Sequence, residues 1–315
     1  MYENAKICVA GIGAVGGIIA AMLCRKYPEN VSLIARGARA EALRKKGVVL
    51  HSEFYGEVTG MPARVVEQGS SLDIQDYVFI CVKNYSLKQI TENLRPCVGE
   101  NTVIIPAVNG VEAGDRLREM FPQAVVCDAA VYTTTGANPD FSVTQKGTYT
   151  HMFIGNKVQE ERYAEGAKRA CELLKNAGFD ARLTDEVLKE VWSKFLLNCA
   201  FNTLTARYLV TSGDIRKSEK LQEDVFALLS ETYQVSRAEG IGLPEDMPQK
   251  KFDFIMNTQS EAATSSLRRD VEAKRPAEID AFSGAILRKA AKAGIPVPVM
   301  ERYHRELEEI IASYS

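Results

Sequence analysis

The chain has 315 residues, of which 46% are hydrophobic and 25% are charged, so it is long enough for about two domains and too apolar for global disorder. Its 39 Lys and Arg residues against 41 Asp and Glu residues give a net charge of −2, which argues against nucleic acid or an anionic membrane as the main partner. The seven cysteines are an odd number and include no CxxC pair, so we interpret them as core residues of a protein in a reducing compartment. We predict no metal site.

No targeting or membrane-spanning segment is predicted. The first residues, MYENAKI, lack the basic region of a signal peptide. The longest apolar run is far shorter than the ~18 residues that a membrane span needs. We therefore expect a soluble, cytoplasmic protein.

Short apolar runs alternate with helical patterns in the first half of the chain. The predicted strands are Lys6–Ala10, Val31–Ala35, Tyr77–Val82 and Val103–Pro106, and the predicted helices are Ala14–Tyr27 and Ala38–Lys46. Runs that are apolar on both faces are typical of a parallel sheet covered by helices. This alternation predicts a doubly wound α/β domain.

The pattern changes after this region. Phe141–Ile154 predicts an antiparallel hairpin at the sheet edge, with its turn at Lys146-Gly147. A helix at Glu160–Ala177 and a short strand at Asp180–Leu183 follow. Beyond these, only helices are predicted: Asp185–Tyr208, Glu219–Glu239, Met247–Asn257, Pro276–Ala293 and Tyr303–Ala312. We expect an N-terminal Rossmann-type domain over residues 1–184 and a C-terminal all-helical domain over residues 185–315.

A glycine motif lies between the first predicted strand and helix. Gly11-Ile12-Gly13-Ala14-Val15-Gly16 matches G-x-G-x-x-G. Its glycines allow a tight turn, close approach of a pyrophosphate and packing of helix on strand, while the helix N-terminus offers N–H donors. This context favours a dinucleotide site over a glycine-rich turn without ligand.

The end of the second strand indicates which dinucleotide binds. NAD-binding proteins usually place an acid there, about 20 residues after the loop, whereas this chain has Arg36, with Arg39 close behind. Because a guanidinium suits a 2′-phosphate, the sequence predicts NADPH; the alternative is a solvated arginine.

Two polar residues directly follow other buried strands. Lys83 ends YVFICVK, and Asn109 follows VIIPAV. Ligands bind at the carboxyl ends of parallel strands, so both residues are predicted at the cofactor crevice. The alternatives are a solvated lysine and a turn-forming asparagine.

Lys194, Asn198 and Asn202 form a polar stripe on a predicted helix. Their i, i+4, i+8 spacing places them on one side of a helix that is otherwise mostly apolar. They either form a hydrogen-bonded interior network or line a cleft between the domains and meet a ligand, and we favour the ligand. A desolvated lysine can be a general acid in carbonyl reduction, and none of the three histidines has a comparable neighbour pattern.

Ser266 and Glu278 lie at the starts of two further predicted helices. Ser266 belongs to a run of hydroxyl residues, and Glu278 follows Pro276 in a predicted first turn. Helix capping alone therefore explains both residues.

Together these residues resemble the ketopantoate reductases (2-dehydropantoate 2-reductases), and the similarity runs along the whole chain. It includes the motifs GIGAVG, CVK and NG in the first half. It continues with W-x-K-x-x-x-N-x-x-x-N-x-L-T-A from Trp192, S-S-x-x-x-D-V-x-x-x-R-P-x-E-I-D from Ser265 and G-I-P-V-P from Gly294.

The resemblance implies reduction of 2-dehydropantoate to D-pantoate with NADPH, a step toward pantothenate and coenzyme A. It implies that Lys194 is the general acid, that Glu278 holds the substrate hydroxyl groups and that Ser266 holds the carboxylate. Asn198 and Asn202 would position the substrate.

On the cofactor side, the resemblance implies that Asn109 lies between nicotinamide and substrate, with Lys83 nearby, and that Arg36 contacts the 2′-phosphate.

The chain also departs from the family at some positions. Leu267 stands where methionine is common and Ala277 where threonine is common, so the sequence does not fix the side chain of the substrate. The alternatives are a reductase of another branched 2-oxoacid, a β-hydroxyacid dehydrogenase and a non-catalytic NADPH sensor. The helical domain could carry a homodimer face, but no sustained heptad repeat is present.

Overall fold

A computed structural model describes residues 2–314, which form two compact units. One unit comprises the chain up to Asn109 together with Ala113–Glu190, and the other comprises Gly110–Glu112 and the chain from Val191. Every strand of the described residues belongs to the first unit, and the second is helical. The predicted fold class, a Rossmann-type sheet domain and a C-terminal helical domain, is confirmed.

The elements of the described residues are numbered in chain order. The strands are β1 (Ile7–Ala10), β2 (Val31–Ile34), β3 (Val48–Ser52), β4 (Gly56–Gly60), β5 (Arg64–Val66), β6 (Gln75–Ile80), β7 (Val98–Pro106), β8 (Val125–Val126), β9 (Asp128–Ala137), β10 (Val143–Gly155) and β11 (Ala181–Leu183). The α-helices are α1 (Ala14–Lys26), α2 (Gly37–Lys46), α3 (Leu87–Leu94), α4 (Ala113–Met120), α5 (Glu161–Asn176), α6 (Val187–Tyr208), α7 (Ser212–Arg216), α8 (Glu219–Ala238), α9 (Met247–Asp253), α10 (Ser266–Glu272), α11 (Ser283–Ala293) and α12 (Pro298–Ala312).

Six parallel strands form the first sheet, in the order β5-β2-β1-β6-β7-β8. β1 lies between β2 and β6, so the strand order reverses there. In open α/β sheets, ligands bind outside the carboxyl ends of the strands at such a reversal. The glycine loop follows β1, and Lys83 and Asn109 come soon after β6 and β7, so all three reach this edge of the sheet.

A second sheet has the order β11-β10-β3-β4, with β9 paired antiparallel to β10. The predicted turn at Lys146-Gly147 is wrong, because β10 continues through it and the register shifts between Lys146 and Thr150. The amide of Gln145 donates to the carbonyl groups of Lys146 and Gly147, which stabilises this irregularity. The chain reverses earlier, where the Asp140 carboxylate accepts hydrogen bonds from the backbone and hydroxyl of Ser142.

Apolar side chains cover both faces of the parallel sheet. Ile7 and Val9 of β1 belong to one buried layer, and Cys8 and Ala10 belong to the other. In the helical unit, a separate core surrounds α6. No helix in the described part of the chain is long and apolar enough to cross a membrane.

Candidate active site

The glycine loop between β1 and α1 has a backbone that only glycine accommodates at two of its positions. Gly11 has φ +93°, and a Cβ atom there would lie 2.7 Å from Val82 Cγ1. A Cβ atom on Gly16 would lie 2.0 Å from the carbonyl oxygen of Gly11. α1 can therefore begin beside β1 only because position 16 carries no side chain.

Gly13 differs from these two glycines, because a Cβ atom there would meet nothing within 4 Å. It caps α1, which has no side-chain cap and no acidic residue in its first turn. Ile12 beside it is buried, Ala14 begins the helix, and Val15 packs against the core. No side chain caps the N–H groups at this helix end, and the open space at Gly13 fits the pyrophosphate of a dinucleotide.

Arg36 and Arg39 extend from the region that follows β2. Arg36 is exposed and caps α2 with an extended backbone. Arg39 is half-buried, and its Nη1 donates a hydrogen bond to the carbonyl oxygen of Ile12 in the glycine loop. Its guanidinium carbon lies 5.0 Å from the centroid of the Phe141 ring, and burial lowers the pKa of Arg39. Arg36 is therefore the more accessible of the two guanidinium groups.

Lys83 and Asn109 follow neighbouring strands and are both half-buried. Lys83 begins a 3₁₀ turn, Asn84–Ser86, in which its carbonyl accepts a hydrogen bond of 2.9 Å from the backbone of Ser86. The side-chain amide of Asn84 donates to the carbonyl of Asn109 at 2.8 Å and so joins the two loops. Sequence reasoning missed Asn84, although an amide directly after a strand-end lysine was a signal for such a bridge.

Lys194, Asn198 and Asn202 lie on α6, as their spacing predicts. Asn202 is buried, while Lys194 and Asn198 keep some exposed surface. Protein atoms nevertheless surround the Lys194 ammonium, and this burial lowers its pKa to about 8, although the charge of Glu278 acts in the opposite direction. Lys194 is thus an acid that can release its proton near neutral pH.

Glu278 is 4% exposed and lies in the helical unit with Lys194. The predicted helix from Pro276 is wrong at its start, because a 3₁₀ turn at Ile279–Ala281 precedes α11. Glu278 precedes that turn, and its side chain makes no capping hydrogen bond there. Capping therefore does not explain why a carboxylate is buried at this position, and its charge acts on Lys194 instead.

The hydroxyl residues before α10 have different roles. Ser265, rather than Ser266, is the N-cap: its Oγ accepts a hydrogen bond of 2.9 Å from the backbone of Arg268. The hydroxyl of Thr205 on α6 also donates to Ser265 Oγ, at 2.8 Å. These bonds tie the start of α10 to α6, and Ser266 is the first helical residue beyond the cap.

The histidines have contacts that explain them without acid–base chemistry. His51 Nδ1 lies 2.6 Å from Glu57 on the paired strand, and both side chains are exposed. The His151 ring stacks on Tyr132 at a centroid distance of 5.0 Å. His304 Nδ1 shares a hydrogen bond of 2.7 Å with the buried Ser283.

Two family models match most of the chain. The model described as ketopantoate reductase PanE/ApbA matches residues 7–159, and the model of the C-terminal part of ketopantoate reductase PanE/ApbA matches residues 186–310. Together they include the glycine loop and the polar residues of α6 and the α10 region.

Similar proteins match over nearly their whole length. An uncharacterized oxidoreductase of Bacillus subtilis, YkpB, is 27% identical, over 96% of this chain and 98% of its own. The 2-dehydropantoate 2-reductase of Mesorhizobium japonicum is also 27% identical, over 94% of each chain. The crystal structure of a PanE/ApbA family ketopantoate reductase from Ralstonia eutropha superposes with a TM-score of 0.86 and 26% identity, over 98% of this chain and 99% of its own.

Proposed function

The chain belongs to the ketopantoate reductase family of NAD(P)H-dependent oxidoreductases, and from this premise we propose that it reduces 2-dehydropantoate (ketopantoate) to D-pantoate with NADPH. This reaction is a step toward pantothenate and coenzyme A. The reaction is balanced when the 2-oxo carbon gains a hydride and the 2-oxo oxygen gains a proton. The chain itself must supply the proton and the binding groups.

The observation that carries this proposal is that Lys194 lies on α6 with its ammonium enclosed by protein and within reach of the charge of the buried Glu278. The Lys194 pKa of about 8 leaves the ammonium protonated at neutral pH and able to transfer its proton. As the 2-oxo group is reduced, negative charge develops on its oxygen, and a positive N–H donor stabilises that charge most at the transition state. Lys194 would thus both stabilise the developing alkoxide and protonate it.

The neighbouring polar groups would hold the substrate. The Glu278 carboxylate can accept hydrogen bonds from the hydroxyl groups of the substrate, and Ser266 can donate one to its carboxylate. Asn198 and Asn202 offer amide donors and acceptors on the same side of α6 as Lys194. These roles follow the family resemblance residue by residue, and buried positions for Glu278 and Asn202 support them.

The first unit would hold the cofactor. The glycine loop from Gly11 to Gly16 and the start of α1 would bind the pyrophosphate, and exposed Arg36 would bind the 2′-phosphate. Lys83 and Asn109, at the ends of adjacent strands, would lie toward the nicotinamide. When bound, NADPH supplies the hydride for the 2-oxo carbon.

The decisive experiment is steady-state oxidation of NADPH by the purified protein with ketopantoate, beside a small panel of other branched 2-oxoacids. We expect ketopantoate to have the highest kcat/KM. Turnover confined to another 2-oxoacid would overturn the substrate, and tight NADPH binding without any turnover would favour a sensor. In the same assay, the Lys194→Ala variant tests the proposed acid. Lys189→Ala is its matched control, because Lys189 is on the same helix but pairs with Glu186 at the surface.

A further inference from the structure

Arg39 has an orientation that the cofactor prediction from sequence did not anticipate. It follows Arg36 on α2, but its Nη1 donates to the carbonyl oxygen of Ile12, inside the glycine loop. The same guanidinium lies over the Phe141 ring, with its carbon 5.0 Å from the ring centroid. Arg39 is therefore engaged by the loop on one side and by an aromatic face on the other.

Phe141, the aromatic side of this contact, has an unfavourable backbone conformation. Its φ is +70°, in the left-handed region that bulky residues rarely adopt. The turn around it is hydrogen-bonded: Phe141 N donates to Asn138 O at 3.0 Å, and Asn138 N donates to Ser142 O at 2.8 Å. A conformation of this kind persists only where the surrounding contacts enforce it, so these hydrogen bonds hold the backbone at Phe141 in place.

The bond to Ile12 controls the direction of a backbone donor. In a trans peptide, the C=O and N–H groups point in opposite directions, and the Ile12 carbonyl shares its peptide plane with the Gly13 N–H. Because Gly13 has no Cβ atom, this peptide could rotate at little energetic cost if nothing held it. A guanidinium bound to the Ile12 carbonyl therefore fixes the Gly13 N–H so that it points the opposite way within the same peptide plane, at the start of α1.

We propose that Arg39, supported by Phe141, is a positioning residue that holds the glycine loop in its phosphate-binding conformation for NADPH and NADH alike. This inference rests on the proposed function, since it assumes that the loop binds a dinucleotide. The two nearby arginines then have different roles. Arg36 selects for the 2′-phosphate, and Arg39 acts through the loop on the pyrophosphate that both cofactors share.

The test is a fluorescence titration of the purified, substrate-free protein with NADPH and with NADH. Arg39→Ala should raise both dissociation constants by about tenfold and leave their ratio unchanged, since one charge-assisted hydrogen bond is lost. Arg36→Ala should weaken NADPH far more than NADH. Arg44→Ala is the matched control, because Arg44 is an α2 arginine that instead bonds the Val65 carbonyl, and it should change neither constant.

A second probe, adenosine 2′-monophosphate, distinguishes loop positioning from general damage to the site. It carries the 2′-phosphate but no pyrophosphate, so Arg36→Ala should weaken it and Arg39→Ala should not. Phe141→Leu, which removes the aromatic face, should reproduce the parallel loss of both dinucleotides to a smaller degree, and it decides the question if Arg39→Ala proves unstable.

The two proposals fail in different ways. If the unmodified protein binds neither NADPH nor NADH, the proposed function is overturned. If it binds both, a selective loss of NADPH in Arg39→Ala would make Arg39 a 2′-phosphate contact, and unchanged constants would remove it from cofactor binding altogether. Either of these last two results overturns the positioning role.

Discussion

The buried carboxylate of Glu278 acts on the ammonium group of Lys194 within the helical unit and limits how acidic that group becomes. Burial is the larger effect and lowers the pKa of Lys194, while the negative charge of Glu278 raises it, and the result is about 8. A lysine with this pKa is mostly protonated at neutral pH, yet it gives up its proton far more readily than an exposed lysine. The pair thus links the pH dependence of the reaction to one defined electrostatic contact.

The first prediction concerns the pH dependence of kcat/KM for ketopantoate, which at saturating NADPH reports the ionisation of the enzyme–NADPH complex before the substrate binds. The general acid must be protonated, so activity should be constant at lower pH and should fall as pH rises through about 8, where Lys194 loses its proton. The measurement is kcat/KM for ketopantoate with saturating NADPH across this range. A rate that rises with pH through the same range would exclude Lys194 as the acid.

The second prediction is that in Glu278→Gln the fall of kcat/KM at alkaline pH occurs at a lower pH than in the unmodified protein. The substitution removes the charge that raises the pKa of Lys194 and keeps a side chain of the same shape, so the pKa should fall below about 8. The pH profile of the variant checks the shift separately from the loss of rate that a missing substrate contact would cause. A fall at an unchanged pH would show that the two charges are not coupled.

The third prediction is that Lys194→Ala lowers kcat by about 10²–10⁴-fold, the usual contribution of a general acid, while NADPH affinity is retained. The glycine loop, where we propose that NADPH binds, belongs to the other compact unit, so its own contacts are unchanged. Steady-state kinetics and an NADPH titration on the same preparation measure both quantities. Lys189→Ala should behave like the unmodified protein, and an equal loss of rate there would point to damage of α6.

The sequence predicts the glycine loop well because its determinants are local. Gly11 has a positive φ, and the backbone of Gly11 lies too close to Gly16 for a Cβ atom there. Each of these requirements excludes a side chain, and the two positions have a fixed spacing in the sequence. The stripe on α6 is equally local, because helical periodicity alone places Lys194, Asn198 and Asn202 on one side. Both features lie in elements whose type the sequence predicts correctly.

The features that sequence misses depend on contacts between distant parts of the chain. The predicted Lys146-Gly147 turn is wrong because β9 pairs with β10 both before and after it, and this pairing outweighs a weak local turn signal. Arg39 reaches Ile12 rather than solvent because Phe141, about a hundred residues later, lies against it. Ser265, and not Ser266, is the cap of α10, and the hydroxyl of Ser265 is also hydrogen-bonded to Thr205 on the distant helix α6.

The fourth prediction compares alanine at two glycines of the same loop. Gly16→Ala places a Cβ atom 2.0 Å from the backbone carbonyl oxygen of Gly11, so the loop must shift, and the substitution should destabilise the protein by at least about 2 kcal/mol. Gly13→Ala meets nothing within 4 Å, so stability should change little, while its methyl group enters the space proposed for the pyrophosphate and weakens NADPH. Urea unfolding and cofactor titration measure the two effects. Normal NADPH affinity in a folded Gly13→Ala variant would place the pyrophosphate elsewhere.

The fifth prediction separates the two serines at the start of α10. Ser265→Ala removes the cap and leaves the buried Thr205 hydroxyl without this partner, so it should lower the free energy of unfolding by about 1–2 kcal/mol. Ser266→Ala leaves the cap intact and should change stability by less than about 0.5 kcal/mol, but it should raise KM for ketopantoate because the proposed donor to the substrate carboxylate is lost. Urea unfolding and steady-state kinetics on both variants check the contrast. If Ser266→Ala were the less stable variant and kept its KM, Ser266 would be a structural residue, and the substrate carboxylate would need another donor.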